Sequence, residues 1–302
     1  MPKAASARPD VTAAEVLGPA LRKQVQDLRS WEPGVRLDRV DAVHHYRVTA
    51  RRLRSELDGF RSLLDPEVCR ALGRDLARGA AALNGARDVE VVRHRVHALL
   101  RDESGPLVDA AHAQVDRPLS EASGRSHQDS VSHLDTRDYD AFTRRLERFA
   151  DLPPWSAAAD GPADQVFPPL LHDEWTRFRD RATDAVTSTA GPDRDERLHA
   201  ARKATERARY VAEALTPVFG RRAKRLGKAA RRVQVVLGER QDCIITQGVL
   251  GRAGEQAFLD GENGFVLGRM QAREAATANE LREEFVRLFL AADRKKLRRW
   301  LG

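Results

Sequence analysis

Apolar positions in this chain recur three and four residues apart over most of its length, and the residues between them are charged or small. Runs that alternate apolar and polar residues between hairpin turns are scarce. A spacing near 3.6 marks an amphipathic helix, whereas a spacing of two marks a half-buried strand. The pattern predicts an all-α protein, with helices over about 10–30, 40–64, 67–84, 88–103, 106–121 and 138–150. They resume over about 169–189, 194–218, 220–237, 242–256 and 263–299, the last long enough to hold a break. Pro66 and Pro106 suit first helical turns, and Asp88 and Asp242 suit N-caps.

Two segments break the periodicity. "SEASGRSHQDSVSHLD" (120–135) is polar and serine-rich, and it reads as a loop. "DLPPWSAAADGPADQVFPP" (151–169) carries five prolines and reads as a linker between halves at 10–150 and 170–302.

The two halves repeat each other. "VHHYRVTARRLR" (43–54) aligns with "LHAARKATERAR" (198–209), and "ALGRDLARGAAALNGARD" (71–88) aligns with "RLGKAARRVQVVLGERQD" (225–242). The offsets are 155 and 154, and the pairs include His44/His199, Arg47/Arg202, Arg52/Arg207, Arg54/Arg209, Arg74/Lys228 and Arg78/Arg232. A match of this length predicts a duplicated helical unit.

On a helical projection Val43, Tyr46, Ala50, Leu53, Leu57, Phe60 and Leu64 share one apolar face. His44, Arg47, Arg51 and Arg54 form a stripe that adjoins this face. The second half repeats the arrangement, with Leu198, Ala201, Thr205, Ala208, Ala212, Leu215 and Phe219 as the face and His199, Arg202 and Arg209 as the stripe. The following helix adds Arg70, Arg74 and Arg78, matched by Lys224, Lys228 and Arg232, while Cys69, Leu72, Leu76 and Leu83 lie on another side. If each pair of helices packs as an antiparallel hairpin, both stripes line one groove per half. The two grooves can then join into a longer channel.

Composition adds the sign of the partner. Among 302 residues, apolar types make up 41% and charged types 32%, and the formal net charge is 52 − 45 = +7. A basic balance favours nucleic acid, an anionic membrane or another phosphate polymer. No 18-residue apolar run is present, so no membrane span is expected. "MPKAASARPD" lacks an apolar core for a signal peptide, and a soluble cytoplasmic protein is the expectation. Cys69 and Cys243 are the only cysteines, too few for a disulfide framework or a zinc pattern.

A charged helical row is ordinarily a solvated face. Here the rows adjoin the core, where lone charges are costly, and they recur in both halves. Acidic neighbours at i+4 are sparse, although Asp58 and Glu213 are spaced to pair with Arg54 and Arg209. Like charges held this close favour an anion groove.

The residues that carry the repeat resemble the CHAD family, the conserved histidine α-helical domain. Its first pattern is met by Val43, His44, Arg47, Val48, Arg51, Arg52, Leu53 and Arg54, and its second by Leu198, His199, Arg202, Lys203, Arg207, Arg209 and Tyr210. The turns Leu83–Asp88 and Leu237–Asp242 and the segment "FVLGRMQAREA" (265–275) are also similar to the family. The resemblance covers roughly residues 10 to 300. It implies two pseudo-symmetric helical bundles around a basic central channel, and binding of inorganic polyphosphate, often at polyphosphate granules. It adds Arg52, Lys203 and Arg207, which sit off the projected stripes, and it leaves Lys224 in the second row. Glu206 departs from the family, which usually has a base there, and places an acid on the second stripe. The E-x-E-x-K signature of the accompanying CYTH domain is absent, so a stand-alone binding module is expected.

Other chemistry is weakly signalled. His94 and His97 share a helix face but lack a third ligand nearby in sequence, and two solvated histidines are the simpler reading. No Walker loop, Ser-His-Asp set or Cys-His pair is legible, and no cofactor is implied. His44 and His199 are spaced to donate to phosphate when protonated. A nucleic-acid binder remains the rival, although the stripes lack interleaved aromatics for base stacking. A phosphohydrolase would need clustered carboxylates for a metal, and the stripes carry few.

Overall fold

The computed structural model describes residues 11–188 and 191–301. Its helices are α1 (Ala13–Arg36), α2 (Ala42–Gly59), α3 (Pro66–Ala82), α4 (Asn84–Arg101), α5 (Val108–Leu134) and α6 (Arg137–Asp151). They continue with α7 (Ala163–Thr187), α8 (Pro192–Ala214), α9 (Thr216–Phe219), α10 (Arg221–Leu259), α11 (Phe265–Ala292) and α12 (Lys295–Arg298). The all-α prediction holds: the described residues form no strand beyond the isolated bridges Thr12–Pro162 and Leu64–Trp155. No helix among them is long and apolar enough to cross a membrane. The stretch "MPKAASARPD" lies outside the described residues.

Local chemistry explains several boundaries. The Glu15 amide donates to Thr12 Oγ1 at 3.2 Å and the Thr12 amide donates back to Glu15 Oε2 at 2.8 Å, a reciprocal cap that starts α1. Thr136 caps α6 by accepting from the Tyr139 amide at 3.2 Å. Pro66 opens α3 as expected, and Asp65 Oδ1 accepts from the Glu67 and Val68 amides at 2.8 and 3.0 Å.

Other boundaries differ from the periodic reading. Segment 120–135 is not a loop, because α5 runs through it to Leu134. No proline follows Pro118 there, and Ser130 turns its hydroxyl back onto the Ser126 carbonyl at 2.7 Å instead of opposing the helix. Helix α7 starts at Ala163 and takes in Pro168 and Pro169, because Ala163, Phe167, Leu171, Trp175 and Phe178 give it a continuous buried stripe. The two helices expected at 220–237 and 242–256 are one, since Val233, Val236, Leu237, Arg240 and Cys243 carry the buried face across the expected break. Asp88 and Asp242 therefore lie inside α4 and α10 rather than at helix N-termini. Pro106 precedes α5 by two residues rather than opening it.

The described residues group into two units. The first takes those up to Ala81, Leu134–Val235 and those from Val286 onward; the second takes Ala82–His133 and Val236–Phe285. Each therefore draws on sequence from both sides of 151–169. In the first unit α7 packs along α8, α1 along α2, and α2 along α8. Its core holds Leu17, Leu21, Tyr46, Leu53, Phe178 and Trp175, all essentially solvent-free. In the second unit Val92 and Val96 of α4 meet Ala111 and Val115 of α5, with Leu250, Leu267 and Met270 closing the cluster.

The projected apolar faces are buried as read, from Val43 through Leu64 and from Leu198 through Leu215. Phe219 is half-buried, its ring 5.1 Å from that of Trp300. Alanines at 201, 204, 208 and 212 keep α8 slim, which lets neighbours approach it closely. At Gly59 a Cβ atom would lie 2.4 Å from Val211 Cγ2, so the α2–α8 seam requires glycine there.

Candidate anion-binding surface

All the basic residues singled out in the sequence fall in the first unit, on α2, α3, α8 and the first turns of α10. The structure sorts them by what their charges meet.

One group is held by carboxylates inside the bundle. Arg51 Nε lies 3.3 Å from Glu206 Oε1, and Arg202 Nη1 lies 3.8 Å from Glu206 Oε2. Arg52 donates to Glu56 Oε1 at 3.0 Å and to Glu213 Oε2 at 3.3 Å. Arg209 donates to Glu213 Oε1 at 2.7 Å and to Gln234 Oε1 at 2.9 Å. Both Arg52 and Arg209 lie over the Tyr210 ring, 5.3 and 5.0 Å from its centroid. Arg207 donates to Glu174, which Arg177 also holds. On α3, Arg78 donates to Asp75, and so does Arg145. Burial pushes the Asp75 carboxyl up, but these two arginines outweigh it and hold Asp75 below its ordinary range.

These pairs refine the like-charge argument. The Arg209–Glu213 bond forms as its spacing suggests, while no bond joins Arg54 to Asp58. The partners that matter most, Glu206 and Glu213 for α2 and Glu174 for Arg207, come from neighbouring helices. A single-helix projection cannot show them.

A second group faces solvent with no ion pair drawn to it. Arg54, Arg74, Lys203, Lys224, Lys228 and Arg232 are exposed. The start of α10 extends this group beyond the projected row, because Arg221, Arg222, Arg225 and Arg231 are exposed as well. No acidic residue occurs between 221 and 232. This density was legible in the sequence, but an i, i+4 row selects only one edge of it.

The histidines take intermediate positions. His44 and Arg47 are half-buried on α2. The His44 ring lies 5.5 Å from that of His45, which stacks on Trp31 at 4.3 Å. His199 is also half-buried, and burial followed by the charges of Lys203 and Arg202 lowers its pKa. The shift makes His199 harder to protonate, which weakens the donation to phosphate that its protonated form would offer.

Comparison with known proteins follows the same geometry. The CHAD domain family model matches residues 19–251. Two uncharacterized proteins of Mycobacterium tuberculosis, MT2285 of strain CDC 1551 / Oshkosh and Rv2226 of strain ATCC 25618 / H37Rv, are each 29% identical over 269 residues. The alignment covers 88% of this chain and 50% of each relative, so the chain spans about half their length. Among solved structures, PptA from Streptomyces chartreusis superposes with a TM-score of 0.73 at 22% identity, covering 93% of this chain and all of PptA. The CHAD domain from the plant Ricinus communis superposes with a TM-score of 0.68 at 20% identity, covering 94% of each chain. At these identities the structural likeness speaks to the fold.

Proposed function

This chain belongs to the CHAD domain family, and on that footing we propose that it binds inorganic polyphosphate without catalysing its turnover. The observation that carries the reading is the start of α10, where Arg221, Arg222, Lys224, Arg225, Lys228, Arg231 and Arg232 are exposed with no acid among them. Arg54, Arg74 and Lys203 add exposed cations on three other helices of the same unit. Polyphosphate presents negative charge on every unit, so rows of cations at helical spacing meet it repeatedly. Arginine supplies paired donors to phosphate oxygens and lysine a compact charge.

The carboxylate-held arginines have a different role in this reading. Arg51 and Arg52 stiffen the α2–α8 seam, Arg207 ties α8 to α7 and Arg209 ties α8 to α10, while His44, Arg47, His199, Arg202 and Arg78 add to the exposed cations in this reading. The halves at 10–150 and 170–302, related by duplication, contribute matching rows to one basic channel. Residues 10 and 302 lie outside the described residues. The non-catalytic reading is supported by the acids: Glu56, Glu174, Glu206 and Glu213 are each engaged by arginine, and among the described residues the only potential metal-holding group lies on α4 and α5, away from these helices in sequence. Association with polyphosphate granules in the cytoplasm is the cellular setting that fits.

The test is a titration at matched salt with long-chain polyphosphate, ATP, single-stranded DNA and duplex DNA, with phosphate release followed in parallel. Tightest binding to polyphosphate, weakening steeply with salt and with no phosphate released, is expected. Equal or tighter DNA binding overturns the ligand, and metal-dependent phosphate release overturns the non-enzyme reading.

A further inference from the structure

The second unit brings a histidine of one helix against a histidine and an aspartate of the next. His97 lies on α4, and His112 and Asp116 lie one turn apart on α5. His97 Nε2 is 2.9 Å from Asp116 Oδ1, and His112 Nδ1 is 2.7 Å from Asp116 Oδ2. The two imidazole centroids are 5.2 Å apart. One nitrogen from each ring and a carboxylate oxygen all fall within 4.8 Å of one another. His94, the residue that sequence spacing coupled to His97, is not part of this group.

From this geometry we propose that His97, His112 and Asp116 form a binding site for a borderline divalent transition-metal ion, with Zn²⁺ as the type. Two imidazoles and one carboxylate are the donors such an ion prefers, and three protein ligands leave a position for water or another ligand. Hard ions such as Mg²⁺ fit poorly, because only one residue of the set offers oxygen. The scaffold is rigid where it needs to be. His97 follows buried Val96, and His112 and Asp116 follow buried Ala111 and Val115, so the apolar α4–α5 seam fixes all three backbones.

Access is open as well. The three side chains are 39%, 47% and 37% exposed, so an ion reaches them without unfolding the helices. Without metal, a ring N–H of each histidine donates to one oxygen of Asp116; for an ion to bind there, each neutral ring shifts that proton to its other nitrogen, and the freed nitrogen serves as the ligand. The hydrogen-bonded triad is thus the apo form of the site. The two nitrogen–oxygen distances need to widen only slightly, since ligands of a tetrahedral Zn²⁺ at about 2.0–2.1 Å lie somewhat more than 3 Å apart.

The test uses the untagged full chain, stripped with chelator and titrated calorimetrically with Zn²⁺, Ni²⁺, Co²⁺ and Mg²⁺. One Zn²⁺ bound in the micromolar range or tighter is expected, with Mg²⁺ at least a hundredfold weaker. His97→Ala and His112→Ala should each lose at least tenfold in affinity, and His94→Ala should keep it. Asp116→Asn, which preserves shape and an acceptor oxygen, guards against a folding artefact and should also weaken binding. Absence of saturable Zn²⁺ binding overturns the proposal. So does binding that survives in the folded His97→Ala and His112→Ala variants.

Discussion

Arg51 and Glu206, the residues that the 155-residue repeat sets at equivalent positions, meet each other at 3.3 Å where α2 packs along α8. Equivalent residues of two repeated helices meet in this way when the helices contact each other face to face. A base at position 206, which the family pattern expects, would bring two cations together in a half-buried seam. The acid at that position is instead 5% exposed and is shared by Arg51 and Arg202. Glu206 is therefore a keystone of the seam, and its acidic character is compensated locally.

Replacing it tests that role. Glu206→Gln removes the carboxylate that Arg51 and Arg202 share in a partly dry seam. Breaking a fully buried pair costs about 3–5 kcal/mol, and the remaining solvent exposure of both arginines reduces this to about 2 kcal/mol. Urea unfolding should show that loss. At temperatures where the variant stays folded, polyphosphate should bind more tightly than to the parent chain, because one negative charge beside the basic residues is gone. A variant as stable as the parent would show that Glu206 is not a keystone.

The contrast between Leu53 and Arg51 shows what the sequence made legible. A buried leucine belongs to a repeat of period 3.6, so one helix is enough to place it, and the faces of α2, α3 and α8 were found this way. Arg51 is defined by what it meets, and Glu206 lies far along the chain on another helix. Charge pairing across helices has no periodic signature. For the same reason His97 looked like half of a weak pair with His94 until α5 supplied His112 and Asp116. The continuous helix α10 hid behind a local signal, since Asp242 resembles a cap only until the buried stripe from Val233 to Cys243 outweighs it.

The exposed face of α10 makes a second prediction. Lys224→Ala, Lys228→Ala and Arg232→Ala together should leave stability within about 0.5 kcal/mol, because these side chains hold no ion pair. Polyphosphate affinity should fall by about one to two orders of magnitude at low salt, and the slope of log K against log salt should become shallower by about two. A fluorescence titration across a salt series reads both. Unchanged affinity would move the ligand away from this face.

Close approach at Gly59 makes a third. Gly59→Ala puts a methyl 2.4 Å from Val211 Cγ2 and forces α2 off α8, at a cost of about 1–3 kcal/mol for overpacking. Val211→Ala removes the obstructing methyls. In a double-mutant cycle the pair should therefore be less destabilised than the sum of the single variants. Strict additivity would show that the seam has room to yield at this point.

Glu56 sets the pH dependence of the same seam. It is 1% exposed, and one carboxylate oxygen accepts from Arg52 at 3.0 Å while Oε2 has no hydrogen-bond partner. Burial pushes its pKa up to about 7 from an ordinary 4.5; the charge of Arg52 and its hydrogen bond oppose the rise, and Glu213 adds to it. The folded chain therefore holds a proton between about pH 4.5 and 7 that the unfolded chain has released. Stability from this group is full below the unfolded value and is lost as pH climbs through the folded one. The loss is on the order of 3 kcal/mol. Glu56→Gln keeps the shape and cannot ionise, so it should match the parent near pH 5 and exceed it near pH 8. Urea unfolding of both proteins across that range checks the sign. A parent chain that gains stability relative to Glu56→Gln as pH rises would mean that Arg52 holds Glu56 ionised throughout.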